Sequence, residues 1–378
     1  MNLFLLTVFV VYGGMHVYAF LKARSALGFG WGPGLALGAV MLCMVPALFL
    51  IRLLERQGLE LGAMALSYVA YTWMAVLFLF FCGALAIDLV NLLLRSAGWL
   101  GGSASVLRPI PARFSFAATL GMALVIAAYG YVEALNIRTE RLVIETAKLP
   151  AGIDRLTIAQ ISDVHLGLIV RASRLRRILQ IVKAEQPDVF VSTGDLVDAE
   201  INHLPGLREL LQDIRPRYGR FAVTGNHEYY AGLDKALEFT RGAGFTLLRG
   251  AAVDAGPIVV AGVDDRTALQ AAGERPASDR QVLSQLDRAK FILFLKHQPQ
   301  PDPDTVGAFD LMLSGHTHRG QIWPFRYFTE LFYPLNAGRY DLGQGSVLHV
   351  SRGTGTWGPP IRFLSPPQVT IVELVRKS

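Results

Sequence analysis

Charge is distributed so unevenly along this chain that it splits the folding problem in two. The first 136 of 378 residues hold seven Lys/Arg and four Asp/Glu, whereas the remainder holds 29 and 26. Four apolar runs fill the charge-poor part, at residues 3–21, 35–51, 63–94 and 114–132. About 20 apolar residues in a helix cross ~30 Å of hydrocarbon, so the sequence predicts an all-α four-helix transmembrane region over residues 1–136 and a soluble domain over 137–378. No basic segment precedes the first run and no small-residue cleavage pattern follows it, which reads as an uncleaved span rather than a signal peptide. Pro46 should kink the second run. The third is too long for one perpendicular crossing, so it tilts or carries its Asp88–Asn91 end out of the hydrocarbon. His16 and Asp88 read as structural polar residues.

Hydrophobic residues reach 52% of the chain, and the net charge of +6 divides equally between the two parts. No basic block interleaved with aromatics occurs, so a nucleic-acid partner is not expected. Cys43 and Cys82 both lie inside apolar runs, which excludes a disulfide framework or a thiolate zinc site.

From Arg138 the pattern changes to short β-branched runs alternating with charged amphipathic stretches. Expected strands are 141–145, 156–161, 189–192, 220–224, 258–262, 291–295, 309–313, 347–350 and 369–374; expected helices include 172–184 and 233–242. Strand and helix alternate first, and strands dominate later. The predicted fold class is α/β, with two packed β-sheets flanked by helices and with functional residues on the loops after strands.

Those loops carry the chemistry. Residues 156–161 run into Ser162-Asp163-Val164-His165, residues 189–192 into Gly194-Asp195-Leu196-Val197-Asp198, and residues 220–224 into Gly225-Asn226-His227-Glu228. Later come Lys296-His297-Gln298 and Gly315-His316-Thr317-His318-Arg319-Gly320-Gln321. If the strand over 309–313 continued, side-chain alternation would send His316 and His318 to one side. Asp, Asn and His gathered at the ends of adjacent strands converge on one point, and oxygen plus imidazole donors suit Mn, Fe or Zn.

As an ordered set these blocks resemble the calcineurin-like metallophosphoesterase family, in a bacterial subgroup similar to transmembrane proteins with a metallophosphoesterase domain. The resemblance covers roughly residues 150–376 and extends to Ser351-Arg352-Gly353-Thr354-Gly355-Thr356-Trp357-Gly358-Pro359-Pro360. It implies a metallophosphoesterase-like sandwich with two divalent metal ions, Mn above Fe or Zn. Asp163, His165 and His318 would hold one ion, Asn226, His297 and His316 the other, and Asp195 both. His227 would be the catalytic histidine. Asp198 and Glu228 read as partners that orient ligands, and Asp264 and Asp265 as a turn. Arg319 and Arg352 would contact substrate phosphate, with a structural salt bridge as the alternative for each.

The stretch from Trp323 to Pro334 is rich in aromatics. It is either a loop covering the core or an apolar lip that meets lipid or a lipid-like substrate. The function expected is that of a membrane-anchored phosphoesterase hydrolysing a phosphodiester or phosphate anhydride, with the lipid bilayer and a phosphorylated small molecule or lipid as partners. Alternatives are a noncatalytic scaffold or sensor domain of the same fold, or a cytoplasm-facing pyrophosphatase of nucleotide-linked diacylglucosamine. A transporter is disfavoured, because the spans carry no ladder of ionisable groups. Basic residues do not fix sidedness: Lys22, Arg24, Arg95, Arg108 and Arg113 balance Arg52, Arg56, Arg138, Arg141 and Lys148. The first set lies in bounded loops, which favours a multi-pass membrane protein with an extracytoplasmic catalytic domain.

Overall fold

A computed structural model describes residues 3–100, 109–198, 206–273 and 275–377; Arg108 lies outside them. Two compact units result, one of residues 1–132 with 358–361 and one of 133–357 with 362–378.

The first unit is helical: α1 (Leu3–Leu27), α2 (Trp31–Met44), α3 (Ala47–Arg56), α4 (Glu60–Leu100) and α5 (Ala112–Leu135), whose last turn passes into the second unit. Among the described residues α4 and α5 are long and apolar enough to cross a membrane, and α2 with α3 makes a third candidate if the bent pair is one span. That pair bends by 50° beside Pro46, where the ring removes a helical donor and clashes with the preceding turn. Two of the polar residues in this unit are paired with others. Asp88 accepts hydrogen bonds from Tyr18 and Lys22, and His16 accepts one from Trp73 at 2.9 Å.

Among the described residues the second unit holds twelve strands in two six-stranded sheets. One sheet contains β1 (Arg138–Thr146), β2 (Arg155–Ile161), β3 (Val189–Ser192), β4 (Arg220–Ala222) and β5 (Thr246–Leu247). The other contains β6 (Ala251–Asp254), β7 (Ile258–Gly262), β8 (Phe291–Leu295), β9 (Leu311–Ser314), β10 (Gly338–Gly343) and β11 (Ser346–Val350). The last strand, β12 (Gln368–Arg376), returns to the first sheet between β1 and β2. Around the sheets lie α6 (Ala172–Ala184), α7 (Leu207–Gln212), α8 (Asn226–Tyr230), α9 (Leu233–Gly242), α10 (Thr267–Ala272), α11 (Asp279–Leu283) and α12 (Arg326–Phe332).

Alternation along the strands explains the layering. Leu156 and Ile158 of β2, Val189 and Val191 of β3, and Phe291, Leu293 and Leu295 of β8 point into one shared core between the sheets. Their neighbours face outward: Ala159, Ile161 and Phe190 pack under α6, α7 and α9, and Ile292 and Phe294 pack under α11. Both faces are covered, so these strands read as continuous apolar runs.

The direction of the strands places the site. β2, β3 and β4 run parallel, as do β7, β8, β9 and β11. Their carboxyl ends therefore gather the loops beginning at Ser162, Thr193, Val223, Lys296, Gly315 and Ser351.

Candidate metal centre

Backbone hydrogen bonds lace these loops before any side chain acts. Asp163 N–H donates to Gly194 O at 3.0 Å, Gly315 N–H to His297 O at 2.9 Å, and Gly355 N–H to Asp163 O at 3.0 Å. At Gly315 and Gly225 a Cβ would collide with the Asp163 and Asp195 carboxylates respectively, so both glycines are required by close approach. Asp163, His165, Asp195, His316 and His318 all have φ between 47° and 71°. Such backbone costs roughly 1–3 kcal/mol per residue outside glycine and clusters at functional sites.

The strand expectation for the two histidines is corrected here. β9 stops at Ser314, and His316 and His318 sit in left-handed backbone beyond it. Turn geometry rather than strand alternation aims their rings.

The seven expected ligands meet in two groups that share Asp195. In one, His318 Nε2 lies 3.4 Å from Asp163 Oδ1 and 3.1 Å from His165 Nε2, which is 3.8 Å from Asp195 Oδ2. In the other, His297 Nε2 lies 3.3 Å from Asp195 Oδ2, 3.3 Å from Asn226 Oδ1 and 3.2 Å from His316 Nδ1.

The donor set fits cations. His297 Nδ1–H donates to Thr193 O at 2.8 Å, which turns Nε2 toward a carboxylate, an amide oxygen and a second imidazole. Burial opposes charge on His297, yet the Asp195 carboxylate outweighs it and holds the pKa well above the ordinary value. The surroundings of this ring therefore favour positive charge. Asp195 behaves reciprocally: burial works to raise its pKa, but His297 and His227 hold it well below the carboxylate range. Asp163 is pushed up by burial.

Each group has a different backing. His316 Nε2 lies 2.9 Å from Tyr333 Oη, Tyr333 donates to Gln298 Oε1 at 3.2 Å, and Gln298 Nε2 donates to Asp265 Oδ2 at 2.9 Å. With these donors, His316 Nε2 carries the ring proton and Nδ1 faces the ligands. Burial, and then the charge on His297, lowers the His316 pKa to about 3. Behind His318 stands Arg362, fully buried. Its guanidinium donates to His318 Nδ1 at 2.8 Å, to Gly355 O at 2.6 Å and to Arg352 O at 2.7 Å. Burial and this cation hold the His318 pKa well below its ordinary value. The ring proton then sits on Nε2 facing Asp163, in the place an ion would take.

His227 occupies one side of the centre. Its Nδ1 lies 3.1 Å from Asp198 Oδ1, its backbone N–H donates to Asp195 Oδ1 at 2.8 Å, and Tyr230 and Trp357 flank its ring at 5.4 and 5.8 Å. Burial would lower its pKa, but Asp195 and Asp198 raise it to about 9. Glu228 orients the backbone instead of the imidazoles: its carboxylate accepts from the N–H groups of Gly225, Asp195 and Leu196 at 2.6–3.0 Å.

The two expected phosphate contacts separate. Arg352 is bound to Glu140 at 3.0 Å and to Pro366 O at 3.1 Å, so the salt-bridge alternative is realised. Arg319 is half-buried beside His318; burial, then Arg326 and Arg352, depress its pKa. Sequence reading missed Arg362 and the Tyr333–Gln298–Asp265 relay. Its turn at Asp264 and Asp265 does follow β7, but both carboxylates are engaged, with Arg249 at 2.8 Å and with Gln298.

Residues 156–320 match the family model described as calcineurin-like phosphoesterase. A metallophosphoesterase of Aquifex aeolicus is 40% identical, covering 68% of this chain and 98% of the relative. One from Campylobacter jejuni is 31% identical over 82% of this chain and 84% of its own. A Danio rerio transmembrane protein with metallophosphoesterase domain is 32% identical, covering 66% of this chain and 60% of the relative. The chain belongs to the calcineurin-like metallophosphoesterase family.

Proposed function

We propose that the chain is a membrane-held two-metal hydrolase of a phosphodiester or phosphate anhydride. The observation that carries this reading is the convergence of Asp163, His165, Asp195, Asn226, His297, His316 and His318 from both sheets, their nitrogen and oxygen atoms facing one another. Asp163, His165 and His318 would hold one divalent ion and Asn226, His297 and His316 the other, with Asp195 serving both. Such ions, Mn foremost, neutralise phosphoryl oxygens and make a water nucleophilic at neutral pH. The chain's own residues do the rest. Arg319 supplies a further cation for phosphate. As the water oxygen bonds to phosphorus and the ester bond breaks, His227, its ring held by Asp198, gives a proton to the leaving oxygen. The proton lost by the water passes to solvent.

The membrane part of the reading is supported by α4 and α5 and by the relative named as a transmembrane protein. We place the catalytic unit outside the cytoplasm, with a lipid- or envelope-linked substrate. Alkaline phosphatase fused after Ser378 should then be active and a green fluorescent protein dark; the opposite pattern would put the site in the cytoplasm. For the chemistry, the full chain in detergent should hydrolyse bis(p-nitrophenyl) phosphate with Mn and lose that activity on chelation. Full activity after exhaustive chelation would overturn the reading.

A further inference from the structure

The helix α12 breaks the rule that the other amphipathic helices of its unit obey. α6 buries Leu175, Ile178, Leu179 and Val182, and α9 buries Ala236, Leu237 and Phe239. α12 buries none of its residues, although its sequence, Arg326-Tyr327-Phe328-Thr329-Glu330-Leu331-Phe332, is at least as apolar. Tyr327 and Phe328 are each 55% exposed, Leu331 76% and Phe332 73%. Trp323 and Phe325, just before the helix, are also exposed. Six large apolar side chains thus lie open within ten positions, where isolated ones would need no explanation.

The face is one-sided and firmly held. Tyr327, Phe328, Leu331 and Phe332 follow helical spacing along one side. Arg326 and Glu330 pair at 2.7 Å on another, each about one third exposed. Trp323 N–H donates to Phe363 O at 3.1 Å at one end, and at the other Tyr333, next to Phe332, hydrogen-bonds His316. An open apolar face is therefore mounted directly on a ligand of the metal centre.

We propose that α12, with Trp323 and Phe325, is an interfacial helix whose apolar side enters the head-group boundary of a bilayer and holds the mouth of the site against lipid-borne phosphodiesters. This rests on the reading of α4 and α5 as membrane spans and of the centre as a phosphoesterase. Two observations select lipid as the occupant. Trp, Tyr and Phe beside an Arg are the side chains favoured at a membrane–water boundary, and an apolar stripe opposite a charged one is the pattern of helices that lie in it. The chain's own spans also keep a bilayer within tethered reach of every copy, so even a weak insertion is populated.

The test uses the full chain in nanodiscs of phosphatidylcholine and phosphatidylglycerol, with Cys43→Ala and Cys82→Ala. Single cysteines replace Phe328, Leu331 or Phe332 in turn, with Val69→Cys in α4 and Glu238→Cys on α9 as lipid and water controls. Each carries a bimane label, quenched by nitroxide lipid or by aqueous iodide. The proposal expects the three α12 positions to follow Val69→Cys, with nitroxide lipid lowering emission roughly twofold and iodide having little effect. Quenching by iodide alone would show a water-facing lip. Quenching by neither would show a lip covered by protein, whether the membrane helices or a second copy. Either result overturns the proposal. If Val69→Cys itself is reached by iodide, the membrane reading falls, and the proposal with it.

A second arm reads function. Leu331→Glu with Phe332→Glu should lower kcat/KM roughly tenfold for hexadecyl p-nitrophenyl phosphate in the bilayer, and leave that for soluble bis(p-nitrophenyl) phosphate unchanged. Equal losses on both substrates would make the lip merely structural and overturn the proposal. If the parent chain cleaves neither, the phosphoesterase reading has failed, while the quenching result still decides where α12 lies.

Discussion

The two halves of the candidate metal centre gather nearly the same kinds of side chain on opposite supports. Behind His316 a relay of Tyr333 and Gln298 ends on the Asp265 carboxylate; behind His318 stands the guanidinium of Arg362. A partner that draws the ring proton outward strengthens an imidazole as a donor, whereas a cation at the far nitrogen weakens it. The charged ligands are distributed the other way. Asp163 belongs to the half with the weakened imidazole, and the neutral Asn226 to the half with the strengthened one. Under the two-ion reading proposed above, ligand identity and support would offset each other and bring two unlike ion positions closer in affinity.

The largest expected loss comes from removing what the halves share. Asp195→Asn should lower turnover on the order of 10³-fold or more, because it takes several kcal/mol of charge stabilisation from both positions. Any single change at Asp163, Asn226 or His316 should cost less, and a terminal-ligand variant that cost more would break the idea of a shared carboxylate.

His227→Ala should cost about 10²-fold with alkyl leaving groups and far less with p-nitrophenolate, which needs no proton. Ion content measured by elemental analysis should not change. An emptied centre would make His227 a ligand rather than an acid.

The supports can be separated next. Tyr333→Phe should weaken the position of His316 roughly tenfold in calorimetric Mn titrations. Arg362→Lys keeps the charge but cannot reach the same carbonyls, and should weaken the position of His318 by about 10–100-fold. If both variants weakened the same step, the two halves would not be independently supported.

The smallest effect on activity lies away from the centre. Burial lowers the pKa of His349 on β11 to about 4. A histidine neutral in the fold and at ~6.5 when unfolded contributes stability that is fully present above pH 6.5 and lost as pH falls toward 4. The loss is about 3 kcal/mol. Thermal unfolding of the full chain in detergent should show this acid limb, and His349→Gln should flatten it without changing turnover at pH 7.

The convergence of the candidate ligands was legible in the sequence because each follows a strand whose apolar run announces it, and parallel strands bring such ends together. Pro46 was legible for a similar local reason. Arg362 was not, because its partners are carbonyls at Gly355, Arg352 and His318, and only the folded loops bring them within reach of one side chain. Tyr333 was visible as part of an aromatic stretch, but nothing local says that its hydroxyl turns inward while Leu331 and Phe332 face outward. The edge elements β5, β6 and β10 were missed for want of apolar runs: β5 has only 2 residues, and β6 and β10 carry only exposed and half-buried residues. The expected strand over 309–313 lies two residues early at its start, because Phe309 packs beneath the second sheet before pairing begins at Leu311.

In the proposed reading seven side chains hold two ions through one common carboxylate. Mn titration into the chelated full chain, followed by calorimetry and by elemental analysis after desalting, measures this directly. Two ions per chain are expected in the parent, with loss of high affinity at both positions in Asp195→Asn. A parent that retains fewer than two ions, or an Asp195→Asn variant that binds two as tightly as the parent, would contradict it.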